Sequence, residues 1–250
     1  MSLQFIMGNS GSGKSYCLYD TVVREAIENP DKNYLVIVPE QFTMQTQKDL
    51  CLAHPKGGIM NIDVLSFGRL AYRVFEEVGQ DARVVLDDEG KNLVLRKIAG
   101  ECEKDLKVFK GNLKKQGYIS EVKSVLSEFA QYGVDFERLD DFMKEVPPES
   151  YLHYKLDDIR TIYEKFEEYL SEKYITKEEM LDVLSDAVPY SDILKGSVVA
   201  MDGFTGFTPV QNRLIGELFS VCEKVMITVT MDGRENPYVY EHPYQIFALG

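Results

Sequence analysis

Gly8-Asn9-Ser10-Gly11-Ser12-Gly13-Lys14-Ser15 fits the phosphate-loop pattern GxxxxGK[ST] at every fixed position. The residue types suit one task. Glycines 8, 11 and 13 are expected to adopt positive φ and to turn successive backbone N–H groups toward one anion. Lys14 would bridge the β- and γ-phosphate oxygens of a nucleoside triphosphate, and the Ser15 hydroxyl would ligate the accompanying Mg2+. Such a site also needs an acid at the end of a neighbouring strand, holding the metal through water. Asp202, after Val198-Val199-Ala200-Met201, is the candidate. Gly203 stands where a hydrolysing site carries a glutamate that polarises the attacking water, so the sequence predicts binding with poor turnover.

A phosphate loop works only between a strand that delivers it and a helix that opens behind it. Leu3–Met7 reads as a buried strand, and a helix is predicted from Lys14 to about Glu28, closed by Asn29-Pro30-Asp31. Tyr34–Val38 is a second buried strand stopped by Pro39, with a helix from about Gln41 to Ala53. Ile59–Leu65 and Ser66–Phe75 read as a third strand and helix. Alternation of this kind implies an α/β fold whose parallel sheet carries helices on both faces. From about Asp87 to Lys195 only helical periodicity is found, with apolar stripes at Ile119, Val122, Leu126 and Phe129 and at Leu156, Ile159, Ile162 and Phe166. The α/β signature resumes with a strand at Ser197–Met201, a helix over 209–222, a strand at Val225–Thr230 and another near the chain's end. The expected organisation is therefore one nucleotide-binding domain in two parts, 1–86 and 196–250, interrupted by a helical insertion over 87–195.

The balance of 28 basic and 41 acidic residues, a net charge of −13, argues against a uniformly nucleic-acid-binding surface. The distribution is uneven. Residues 91–125 hold nine Lys/Arg against four Asp/Glu, and residues 126–190 hold seven against seventeen. The four cysteines are scattered without CxxC spacing, which fits reduced thiols in a cytoplasmic protein rather than a zinc or disulfide scaffold. No run approaches the roughly 18 uncharged apolar residues that a membrane-spanning helix needs, so no membrane partner is expected.

The segments GNSGSGKS (8–15), IVPEQFT (37–43), VLSFGRLAYRVF (64–75) and MDGFTGFTPVQ (201–211) together resemble UvrD-like superfamily 1 helicases. The resemblance is closest to the AddB family, the B subunits of bacterial AddAB helicase–nucleases, and spans nearly the whole chain. It implies a P-loop RecA-like domain binding ATP and Mg2+, with the helical insertion lying over DNA. It further implies an AddA-type partner subunit acting as the motor of a heterodimer that processes double-strand breaks for recombinational repair. A nuclease domain with an iron–sulfur cluster would lie only beyond residue 250, so no nuclease activity is expected in this stretch. Asp202 and Gln211 keep their places in the family's DE-x-Q-D-x-x-x-x-Q segment, whereas Gly203, Thr205 and Gly206 replace its Glu, Gln and Asp. Of a later Gly-Asp…Gln sensor only Asp232 remains. These departures imply a regulatory or vestigial nucleotide site rather than an engine.

Two groups are candidates for DNA contact. Lys104, Lys107, Lys110, Lys114 and Lys115 recur at about one per helical turn and would track phosphates, although a solvated lysine face gives the same pattern. Ser66, Phe67 and Arg69 follow a strand where motor helicases place DNA-contacting residues. Two other functions fit the phosphate loop: a P-loop kinase with a helical lid, and an interaction domain with an inactive loop. A kinase lid rich in arginine is not evident, since residues 126–190 contain only Arg138 and Arg160.

Overall fold

The chain opens with β1 (Ser2–Gly8), α1 (Lys14–Glu28), β2 (Tyr34–Ile37), α2 (Thr43–Ala53), β3 (Ile62–Leu65) and α3 (Phe67–Val78). It continues through β4 (Val84–Leu86), α4 (Asp88–Cys102), α5 (Gln116–Tyr132), α6 (Phe136–Glu145), α7 (Tyr151–Leu170), β5 (Tyr174–Thr176) and α8 (Glu179–Ala187). β6 (Val198–Met201), α9 (Pro209–Val221) and β7 (Lys224–Thr230) complete it. This computed structural model describes residues 2–79, 83–112, 115–171 and 173–231. Lys114, Asp232 and the strand expected near the chain's end lie outside them. Two compact units form, one from Met1–Gln80 with Leu181–Gly250 and one from Asp81–Met180.

The first unit is a mixed α/β body around a five-stranded sheet in the order β1-β7-β6-β2-β3, parallel at every pairing. Side chains alternate across it. Val36, Ala200 and Met226 meet Leu18 and Val22 of α1 and Leu50 of α2, while Leu35, Ile37, Val199 and Met201 are equally buried on the opposite face. All four residues of β2 and of β6 are buried, which is why they read as continuous apolar runs. β1 differs from its expectation as a buried strand. It pairs only with β7 and none of its residues is buried, Met7 being 55% exposed. β3 starts at Ile62 rather than Ile59, because pairing with β2 begins at Tyr34↔Ile62.

The second unit packs α4, α5 and α7 around Leu95, Ile98, Ile119, Leu126, Ile162 and Phe166. The purely helical reading of 87–195 needs correction here. β5 lies within that stretch and pairs in parallel with β4. Three-residue strands carry too little periodicity to register in a sequence. Beside them, the Lys91 ammonium, 3% exposed, donates to Ser127 Oγ at 3.0 Å and to both Glu178 oxygens at 3.0 and 3.1 Å. Among the described residues, no helix is long and apolar enough to cross a membrane.

Glu167 lies on the same side of this unit, in a cavity it shares with Lys91, Tyr163, Glu178 and Glu179. Burial, and secondarily the charge of Glu179, push its carboxyl from the usual 4.5 up to about 7. The native state therefore holds a proton that the unfolded chain releases between these values. Its stabilising contribution is fully present below the unfolded value and is lost as pH rises through 7. Glu167→Gln should flatten this dependence and raise stability at pH 8 by about 1 kcal/mol, a value discounted for partial solvation. Urea unfolding at pH 6 and pH 8 measures it; an unchanged pH dependence would rule out Glu167 as the group responsible.

Candidate functional site

β1 delivers the chain to Gly8, and α1 begins at Lys14. Two glycines between them hold left-handed conformations, Gly11 at φ 76° and Gly13 at φ 86°. Gly13 is the N-cap of α1, a position a side-chain cap would normally fill. Gly8 does not share the positive φ expected of it. Its absent side chain serves close approach instead, since a Cβ there would stand 2.5 Å from Ser12 Oγ. The loop closes on one carbonyl: Asn9 O accepts from Ser12 N at 3.1 Å and from Lys14 Nζ at 2.7 Å. Among the described residues no carboxylate pairs with Lys14.

The start of α1 is chemically open. No side chain caps it and its first turn holds no acid. Ser66, Asp87, Asp135, Ser150 and Thr208, in contrast, cap α3, α4, α6, α7 and α9 through their side-chain oxygens. Residues Asn9 to Gly13 and the Ser15 side chain are exposed, so an anion can reach these amides and the Lys14 ammonium together.

Asp202 follows β6 directly and is 6% exposed. Both carboxylate oxygens accept hydroxyl bonds. Tyr19 donates to Oδ2 at 2.8 Å and Thr228 to Oδ1 at 2.6 Å. Tyr19 also lies 3.2 Å from Thr46 Oγ1 of α2. Burial first, and the charge of Asp202 further down the order, raise the Tyr19 hydroxyl far above the ordinary tyrosine value, so it remains a donor. Strand β7 separates β6 from β1, which sets Asp202's strand about 10 Å from the strand that carries the loop. Gly203 adopts φ 78°, facing Pro39 and Phe42.

The residues singled out for nucleic acid fare unevenly. Ser66 is buried and its hydroxyl accepts from Arg69 N at 3.3 Å as the cap of α3. Phe67 is buried too, its ring 5.3 Å from that of Phe204. Arg69 reaches the surface, with Nε 3.2 Å from Glu40 Oε1. Lys104, Lys107 and Lys110 are exposed, but not on a helix as their spacing indicated, since α4 ends at Cys102 and a turn-rich loop follows. Lys107 pairs with Asp157 at 2.9 Å and lies 5.0 Å over the Tyr154 ring. Lys115 precedes α5 and donates to Asn112 Oδ1.

Sequence reasoning missed the anchor of that loop. Asp158 of α7, 1% exposed, accepts backbone N–H bonds from Lys107, Val108 and Phe109 at 2.8, 2.7 and 2.8 Å. No local signal marks it. A signal did exist for Gln211, whose side chain accepts from Thr208 N at 3.0 Å in a capping box with Pro209 at the helix start. Tyr19 stands four residues after Ser15 and so on the same face of α1.

The family model described as "ADDB, N-terminal" matches residues 5–249. A Lachnoclostridium phytofermentans protein, named as the B subunit of an ATP-dependent helicase/deoxyribonuclease, is 48% identical over 250 residues, all of this chain and 22% of that protein. Proteins of the same name from Alkaliphilus metalliredigens and Clostridium tetani are 35% and 37% identical, each over 93% of this chain and 20% of their own length. The chain thus spans about a fifth of these curated relatives. With a matching model over nearly its full length and the phosphate loop in its strand-to-helix setting, the chain belongs to the AddB N-terminal family.

Proposed function

We propose that this chain is the nucleotide-binding N-terminal part of the B subunit of a helicase/deoxyribonuclease, and that its phosphate loop holds ATP without turning it over efficiently. The open start of α1 carries the reading. Left-handed glycines 11 and 13, an uncapped first turn and a Lys14 with no carboxylate partner among the described residues offer one anion a set of N–H donors and a positive charge. The AddB relatives support the larger setting: an AddA-type partner, DNA as substrate and break repair as the task. Exposed Lys104, Lys107, Lys110 and Lys115, with Arg69, are its proposed DNA phosphate contacts.

Mg2+ entering with ATP would neutralise phosphate charge. The residues fit that ion only in part. Ser15 offers an exposed hydroxyl at the helix start, whereas both oxygens of Asp202 already accept bonds within the fold.

Poor turnover follows from position 203. A glutamate cannot simply be restored there, because φ 78° strains any residue with a Cβ, and that atom would point at Pro39 Cδ and Phe42 Cδ2, 3.5 and 3.6 Å away. Gly203→Glu should leave phosphate release at background and cost about 1–2 kcal/mol of stability. Calorimetric titration of ATP into the full natural chain, followed by phosphate release with and without single-stranded DNA and the AddA-type partner, tests the whole reading. Binding without DNA-stimulated release at this site is expected. Transfer of phosphate to a small acceptor would indicate a kinase and overturn it.

A further inference from the structure

We propose that Tyr19 and Thr228 hold Asp202 out of metal coordination, so that the phosphate loop binds a nucleoside triphosphate with little dependence on Mg2+. This inference rests on the nucleotide-binding reading above and specifies how that site is regulated by its own fold. Tyr19 has a single hydroxyl proton, and it goes to Asp202 Oδ2. The contact with Thr46 is therefore made by the threonine hydroxyl donating to the tyrosine oxygen. Thr228 supplies the other charge-assisted bond, at 2.6 Å to Oδ1. Three elements besides β6 thus converge on one carboxylate: α1, α2 and β7.

A carboxylate keeps a second lone pair on each oxygen, which a metal-bound water could use. Access opposes it, since Asp202 is only 6% exposed. Register opposes it too. Met201 pairs with Ile227, which pairs with Phe5, so Asp202 lies level with Thr228 and Ile6, while the loop leaves the sheet at Gly8, opposite Thr230. Two residues of strand amount to about 6.5 Å. The helix agrees: the partner of Asp202 on α1 is Tyr19, not Ser15, and four residues of helix advance about 6 Å away from the loop. Both elements place the acid one turn below the phosphate level, where a hydroxyl pair satisfies it.

The test is calorimetric titration of ATP into the full natural chain in Mg2+ buffer and in EDTA. Wild-type affinity should differ by less than about threefold between the two. Tyr19→Phe frees Oδ2 and should widen the difference to about tenfold; Thr228→Val, nearly the same shape, should do likewise. Tyr19→Phe combined with Asp202→Asn should abolish that gain, which a purely structural role of Tyr19 would not produce. A wild-type Mg2+ effect of tenfold or more that Asp202→Asn removes would overturn the proposal. Should wild type bind ATP in neither buffer, the nucleotide reading itself fails, and the clamp is then judged by thermal unfolding. Non-additive midpoint shifts for Tyr19→Phe and Asp202→Asn support it, and additive shifts refute it.

Discussion

Replacing Asp158 by alanine should cost the second unit about 3 kcal/mol and release the lysine loop from its anchor. The carboxylate accepts three consecutive backbone N–H groups, from Lys107, Val108 and Phe109, and is itself 1% exposed. Its loss leaves three donors buried or half-buried without an acceptor, each worth about 1–3 kcal/mol, partly offset by no longer burying a charge. Leu106 and Phe109, 3% and 5% exposed, are seated in the core by those same bonds and should loosen with them. Asp158→Asn is the sharper variant. It keeps the shape but turns an amide donor toward N–H groups that are donors themselves, so it should be nearly as damaging. Urea unfolding gives the stability, and hydrogen exchange at amides 107–109 should accelerate by orders of magnitude in both variants. Slow exchange in Asp158→Asn would show that the carboxylate is not what orders the loop.

That anchor also shows which features a sequence reveals. The loop from Gly8 to Ser15 and the bounds of α1 were legible because their determinants are local: glycine conformation, a strand before and a helix after. The continuous apolar runs of β2 and β6 announced the middle of a parallel sheet for a similar reason. Lys104, Lys107 and Lys110 misled, since spacing near one turn looks helical whether or not a helix exists. What sets their backbone is a carboxylate about fifty residues further along the chain. Asp202 is a stronger instance. The sequence marked it as an acid at a strand end, yet its partner Tyr19 is 183 residues away, and only the folded sheet brings the two together. Gln211 was matched to a helicase motif, although Thr208-Pro209-Val210-Gln211 is also a complete capping signature, and the side chain does that local work.

Lys14→Ala should lower ATP affinity about a hundredfold while leaving the unliganded fold unchanged. The asymmetry follows from how little the ammonium does in the absence of phosphate. Its hydrogen bond is to the Asn9 carbonyl, which also accepts from Ser12 N, so the loop remains closed when Lys14 is truncated. With a triphosphate present the ammonium exchanges that neutral acceptor for anionic oxygens, and charge-assisted bonds of this kind contribute about 2–3 kcal/mol. Lys14→Arg should recover little, because a planar fork does not replace a compact charge inside a tight loop. The rise in thermal midpoint that ATP produces in the wild type should vanish in Lys14→Ala, and the midpoint without ATP should match wild type. An ATP-induced rise that survives in Lys14→Ala would place the nucleotide somewhere other than the start of α1, and the open first turn would then need another anion to explain it.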